Sequence, residues 1–270
     1  MRYGTCNALA ALHLYSADFP GFPLQSLARD LAAGGDEPIG DAVVVIEGDT
    51  IVAAGQAAST VVPPYCVRIP LDGATLMPGF IDTHVHRAYD KATLRAWARA
   101  GVTTVRDLSN LSLISDRGCV SRRNAWRFDP TCARLLVAGP MLTAPGGYGN
   151  RQLAAVLETA HRRGFPVACH TTRSVRMAKM ISLGADQIAH LPYDRMSDEL
   201  VAETAAKGIP VMPTFSVYRG MHVRVDILME NLRRLYDAGG VIAFGDDYAG
   251  GPGPFELGMP MYEPMINWGD

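Results

Sequence analysis

The chain has 270 residues, 48% of them hydrophobic and 19% charged, with 25 basic and 27 acidic side chains and a formal net charge of -2. That balance fits one large globular domain, or one domain with a small appendage. It lacks the basic excess that binding to nucleic acid or to an anionic membrane requires, so neither partner is expected.

The five cysteines, Cys6, Cys66, Cys119, Cys132 and Cys169, are odd in number and form no CxxC. This argues against a disulfide framework and against a thiolate zinc site. The apolar run from about residue 8 to 14 is too short to span a bilayer, and no charged segment with a cleavage site accompanies it. A cytoplasmic protein is expected.

Residues Ser16 to Gly40 are spotted with Pro and Gly, which predicts a surface excursion. "DAVVVIEGDTIVAAG" predicts a strand, a tight turn at Glu47-Gly48-Asp49 and a second strand, and "CVRIPLDGATLMPG" adds extended chain. From Gly79 the rhythm changes. Strand-sized apolar runs ("GFIDTHVH", "VTTVRDLS", "ARLLVAGPM", "PVACH", "DQIAH", "IPVMPTF", "GVIAFGDD") alternate with helix-sized amphipathic ones ("KATLRAWARAG", "RQLAAVLETAHRRG", "SVRMAKMISLG", "SDELVAETAAKG", "VDILMENLRRLYDAG"). In the first helix Leu94 and Trp97 share a face. Gly101, Gly164, Gly184, Gly208 and Gly239 each sit just past a helix, as C-terminal caps do. Regular βα alternation predicts an α/β fold with a parallel sheet covered by helices, a (β/α) TIM-like barrel ahead of a doubly wound sheet. No glycine-rich phosphate loop follows any strand.

In "FIDTHVH", His84 and His86 are two apart, so in a strand both imidazoles project to one side. Other polar residues stand at predicted strand ends. His170 ends "PVACH", His190 ends "DQIAH", Asp107 ends "TTVRD", and Asp246 and Asp247 end "VIAFGDD". The C-terminal ends of barrel strands are where active-site groups collect. Three imidazoles and a carboxylate suit zinc or another borderline divalent ion and leave a position for water. Such an ion activates the water, and an Asp at the edge of the site can take its proton and return it to a leaving nitrogen. His161, next to Arg162 and Arg163 in a helix, reads as solvated. His13 and His222 lie away from strand ends. Asp107 reads as a satisfied strand-end residue.

These segments resemble the amidohydrolase superfamily, in its imidazolonepropionase-like and Xaa-Pro-dipeptidase-like branch. "LMPGFIDTHVH" is similar to the opening PGxIDxHxH. "AGVTTVRDL", "AGPMLTAPGGYG", "VACH", "GADQIAHLPYD", "GIPVMPTFSVY" and "GVIAFGDDYAGG" follow in family order between Asp41 and Gly251. The resemblance implies a distorted barrel, residues 79–270, and a small β-sandwich of which residues 1–78 supply the N-terminal part. It implies His84, His86, His170, His190 and Asp247 as metal-site residues, with Asp247 and His190 catalytic, Tyr218 as a substrate-contact candidate, and an amide, dipeptide or cyclic amide as substrate.

The sequence departs from the family pattern in two places. The fourth-strand segment with its metal-bridging lysine has no counterpart: "TAPGGYGN" passes directly into "RQLAAVLETAHRRG", and Lys91, Lys179 and Lys207 all fall in helix-like segments. The family's further helices and strands after the eighth strand also have no counterpart before the chain ends at "MINWGD". The resemblance therefore implies a shortened barrel. Its N-terminal strands would have open edges that favour association into a homo-oligomer. Without the lysine, the ligand set fits the superfamily's one-metal arrangement, one zinc per chain. The alternative is a truncated, catalytically impaired remnant that still binds metal. A phosphate-ester hydrolase would suit the same ligands, but the chain offers no arginine or glycine-rich phosphate cradle.

Overall fold

The computed structural model of the chain describes residues 24–31, 38–108, 115–139, 141–142, 150–218 and 223–247. The chain divides into two compact units. The first holds residues 1–80, 91–104 and 126–134; the second holds residues 81–90, 105–125 and 135–270.

The first unit carries a four-stranded sheet, order β3-β2-β1-β4, from β1 (Leu24–Leu31), β2 (Ile39–Glu47), β3 (Thr50–Gln56) and β4 (Val67–Leu76). The β2–turn–β3 hairpin is the one predicted, with Gly48 in the left-handed region at φ 61°. Apolar Ala42, Val44 and Ile46 of β2 pack with Ile39, Val67, Ile69 and Leu76. The predicted surface excursion is corrected in part. Leu24–Leu31 is a strand between two others, antiparallel to β2 and parallel to β4. Its local sequence carries no clear period-2 signal. Hydrogen bonding on both edges by strands of strong propensity decides its state.

After β4 come β5 (Phe80–Val85), α1 (Lys91–Arg99), β6 (Val102–Asp107), α2 (Asp116–Trp126), β7 (Arg134–Val137) and α3 (Asn150–Arg162). Next are β8 (Ala168–His170), α4 (Ser174–Ser182), β9 (Gln187–Ala189), α5 (Asp198–Ala206), β10 (Val211–Met212) and α6 (Val225–Asp237). Leu94 and Trp97 are buried on α1 as their spacing predicts. The five capping glycines all have positive φ. Helix α2 was not anticipated: only Cys119 is buried on it, so it has no apolar stripe to betray it.

Strands β5, β6 and β7 form one sheet, and β8, β9 and β10 another whose pairs are parallel. A closed barrel is not seen among the described residues. The segment 241–247 links the two sheets through its backbone. Val211 donates to Val241 O and Ala243 to Val211 O, both at 2.9 Å. On the other side Thr83 donates to Phe244 O at 2.9 Å and Asp247 to His84 O at 2.8 Å. The predicted strand "GVIAFGDD" is thus reduced to a single bridge at Ile242, yet it keeps the neighbours a barrel strand would have. Among the described residues no strand stands between β7 and α3. Behind β8–β10 lies the larger core of the second unit, where Met177, Met180 and Ile181 of α4 meet Ile188, Val211, Leu200, Leu228 and Leu235.

Gly79 enters β5 against Thr103, where an added Cβ would lie 1.9 Å from Thr103 Cγ2. Gly79→Ala should therefore cost about 1–3 kcal/mol by overpacking. Gly48→Ala meets no atom within 4 Å and should cost about 1 kcal/mol for its left-handed backbone alone. Thermal melts of the two variants should rank them in that order.

Candidate metal centre

His84 stands on strand β5 and His86 just past its end, and the link from 241–247 to β5 brings Asp247 to them. His84 Nε2 lies 3.0 Å and His86 Nε2 2.9 Å from Asp247 Oδ1. The two Nε2 atoms are 3.3 Å apart. The three side chains form a cluster able to hold a metal ion. Ligand atoms bound at ~2.1 Å to a common divalent ion stand about 3 Å from one another, so the spacing fits. The two contacts with Asp247 are of ion-pair length. Asp247 Oδ1 is buried with no hydrogen-bond partner, and His84 Nδ1 shares that condition. An acceptor oxygen facing two imidazole nitrogens without a hydrogen bond has the directionality of a ligand group. Burial pushes the Asp247 carboxyl up, but the His84 and His86 imidazoles outweigh it and hold the group well below the usual carboxylate range.

His170 and His190 end β8 and β9 as predicted. His190 Nε2 is 2.7 Å from His170 Nδ1, and the His190 ring centroid is 5.0 Å from that of His84. His170 is exposed; His190 is buried. Burial, with His170 and His84 alongside, pushes His190 down to about 3, so the ring is neutral near pH 7. Its other nitrogen, Nδ1, is 2.6 Å from Thr214 Oγ1. His190, Thr214 and Asp247, and Arg87 just after His86, all adopt left-handed backbone, with φ of 73°, 46°, 58° and 57°. For β-branched Thr214 this is strain, of the kind that collects at functional sites.

Sequence reading missed several residues. Asp82 is 1% exposed, and its Oδ1 accepts from the backbone N–H of His84 at 3.0 Å and of Asp246 at 3.4 Å. Burial and the neighbouring Asp246 carboxylate push Asp82 up to about 9. A buried acid in an apolar strand was the available signal. Gly245 lets the last segment approach: an added Cβ would lie 2.8 Å from His84 Cβ. Asn231, fully buried on α6, holds the loop after His190 by donating to Pro192 O and Asp194 O at 2.9 Å and accepting from Met196 N at 3.0 Å.

Other predicted residues have local work. Asp107 is buried and accepts from Ala88 N at 3.0 Å, which ties down the loop leaving His86. Tyr218 is buried and donates its hydroxyl to Leu191 O, supporting the same loop as Asn231. His161 is not merely solvated; its Nε2 meets Asp186 Oδ2 at 2.8 Å. Lys91 pairs with Asp129 and Lys207 with Glu203. Cys66, Cys119, Cys132 and Cys169 are free thiols. No helix among the described residues is long and apolar enough to cross a membrane. His13, His222 and Cys6 lie outside the described residues.

Known proteins were compared with this geometry. No family model matches the chain. Over 63 residues, 22% of this chain and 16% of the relative, it is 38% identical to an imidazolonepropionase of Streptomyces coelicolor. Among solved structures, an amidohydrolase superposes with a TM-score of 0.65 at 18% identity, covering 84% of this chain and 79% of that one. A Xaa-Pro dipeptidase with bound methionine gives 0.63 at 18% identity, covering 84% and 80%. The fold is similar to those of these solved enzymes over most of the chain. The resemblance to its imidazolonepropionase-like and Xaa-Pro-dipeptidase-like branch holds in sequence over the matched stretch and in fold over most of the chain. Within this fold, the histidine pair of the opening motif and the aspartate of the last segment meet.

Asn231→Ala would strip two buried backbone groups and one partly buried one of their partner at once. The expected loss is about 2–4 kcal/mol, since each orphaned buried group costs ~1–3 kcal/mol and the loop can relax. Urea unfolding of the variant against the parent chain measures it.

Proposed function

We propose that the chain is a metal-dependent hydrolase of a carbon–nitrogen bond in an amide, a dipeptide or a cyclic amide. The observation that carries this reading is the convergence of His84 Nε2, His86 Nε2 and an unpartnered Asp247 Oδ1 within 3.3 Å of one another. The amidohydrolase fold supports it, as do the neighbours named for amide and dipeptide cleavage. The architecture we propose is a TIM-like barrel lacking its fourth β/α unit, in a cytoplasmic enzyme whose exposed sheet edges favour a homo-oligomer.

In this reading His84, His86, His170 and Asp247 hold one ion, and an imidazole-rich set favours zinc. The ion, when bound, lowers the pKa of water toward neutrality and polarises a carbonyl. The Asp247 carboxylate takes a proton from the attacking water and returns it to the leaving nitrogen. His190, clamped by Thr214, steadies the developing oxyanion. Alternatively its Nε2 joins His170 Nδ1 as a second ligand pair. Tyr218 contributes through the loop it supports more than through its hydroxyl, which Leu191 occupies.

A second reading, an impaired metal-binding remnant, draws on the sequence, in which "TAPGGYGN" passes directly into "RQLAAVLETAHRRG" without a lysine. Metal content of the purified chain by inductively coupled plasma mass spectrometry, beside a His84→Ala/His86→Ala variant, tests the site. A hydrolysis assay on a panel of amides and dipeptides separates the two readings. About one zinc ion per chain, lost in the variant, with turnover on the panel, is the expected result for a site of this ligand count. Zinc without turnover would favour the remnant. No metal in either protein would overturn both.

A further inference from the structure

Asp82 is a carboxyl side chain buried in an apolar strand, beside a second carboxylate and, among the described residues, with no cation against it. Burying such a group is costly unless it satisfies something else. What it satisfies are two backbone amides from segments far apart in sequence. Oδ1 takes the N–H of His84, on the strand that leads into His86, and the N–H of Asp246, next to Asp247. A single oxygen atom thus joins the two segments that supply the three converging groups. The backbone bond from Asp247 N to His84 O lies beside it, and Gly245 removes the side chain that would push the segments apart.

We propose that Asp82 is a positioning residue, a clip whose Oδ1 fixes the register of Asp247 against His84 and His86 and so sets the affinity of the site for a divalent ion. The clip touches neither ion nor substrate. The consequence for affinity rests on the metal-centre reading above; the clip itself does not. A clip needs an acceptor oxygen at one position and no charge. Asp82→Asn keeps that oxygen and can donate to Asp246, Asp82→Glu keeps the charge but displaces it by a methylene, and Asp82→Ala removes both.

Two measurements on the full chain test this. Zinc titration of the metal-free proteins against a chromophoric chelator reads affinity. Amide hydrogen exchange of His84 and Asp246 in the metal-free proteins reads the clip alone. Asp82→Asn should bind zinc within about 3-fold of the parent, while the Glu and Ala variants should bind about 10- to 100-fold more weakly, the range found for groups that orient ligands. Both amides should exchange slowly in the parent and the Asn variant and rapidly in the other two. Where Asp82→Ala does not fold, the Asn and Glu variants decide between oxygen and charge. Parent-like affinity and protection in the Glu variant, or Asn behaving like Ala, would overturn the clip. A parent chain that binds no zinc but shows the exchange pattern would sink the metal centre and leave the clip standing.

Discussion

Two backbone hydrogen bonds, Thr83 N to Phe244 O and Asp247 N to His84 O, are what the rest of the site depends on. They join parts of the chain some 160 residues apart, since Thr83 and Phe244 are separated by 161 positions. The loop-closure entropy of such a pairing is recovered only where neighbouring segments are already ordered. Here β10 orders the last segment from its other side through Val211. The carboxylate of Asp247 therefore reaches the histidines as a consequence of sheet pairing. Thr83 reinforces the join with its own hydroxyl, which donates to Phe244 O at 2.5 Å.

The same region holds energy that the core must offset. Left-handed backbone at Arg87, His190, Thr214 and Asp247, a buried Asp247 oxygen without a hydrogen bond and the buried Asp82 carboxyl beside that of Asp246 are all individually unfavourable. The surrounding structure over-determines them. Asn231, Tyr218 and Ser174 with Asp194 anchor the loop after β9 from three directions. The apolar contacts of α4, α5 and α6 stand behind it. Rigid support on one side and local strain on the other is the pattern of a site kept for its chemistry.

Much of this was legible in the sequence because the signals were strong and local. The i, i+2 spacing of His84 and His86, the apolar runs before His170 and His190, and the capping glycines each translate directly into geometry. Helix α2 was invisible because its one buried residue gives no stripe. Strand β1 was invisible because its neighbours, not its own residues, make it a strand. Asp82, Gly245 and Thr214 were missed for a shared reason. Their work is done on residues distant in the chain, at separations of 164 for Asp82 to Asp246 and 24 for Thr214 to His190, and no single-segment pattern reports such partners.

How many ions such a site would hold follows from which polar atoms are left wanting. Lys91 and Lys207 are committed to Asp129 and Glu203, so neither is free to bridge a metal pair. His170 and His190 satisfy one another: one proton shared over 2.7 Å serves both nitrogens, and Thr214 serves the remaining nitrogen of His190. The group of His84, His86 and Asp247 has no such internal solution, since the Asp247 oxygen between the two rings accepts no hydrogen bond. A single ion among these three ligand atoms would answer that buried oxygen. A second ion bound through these two rings would compete with the hydrogen bond between His170 and His190 that is already made.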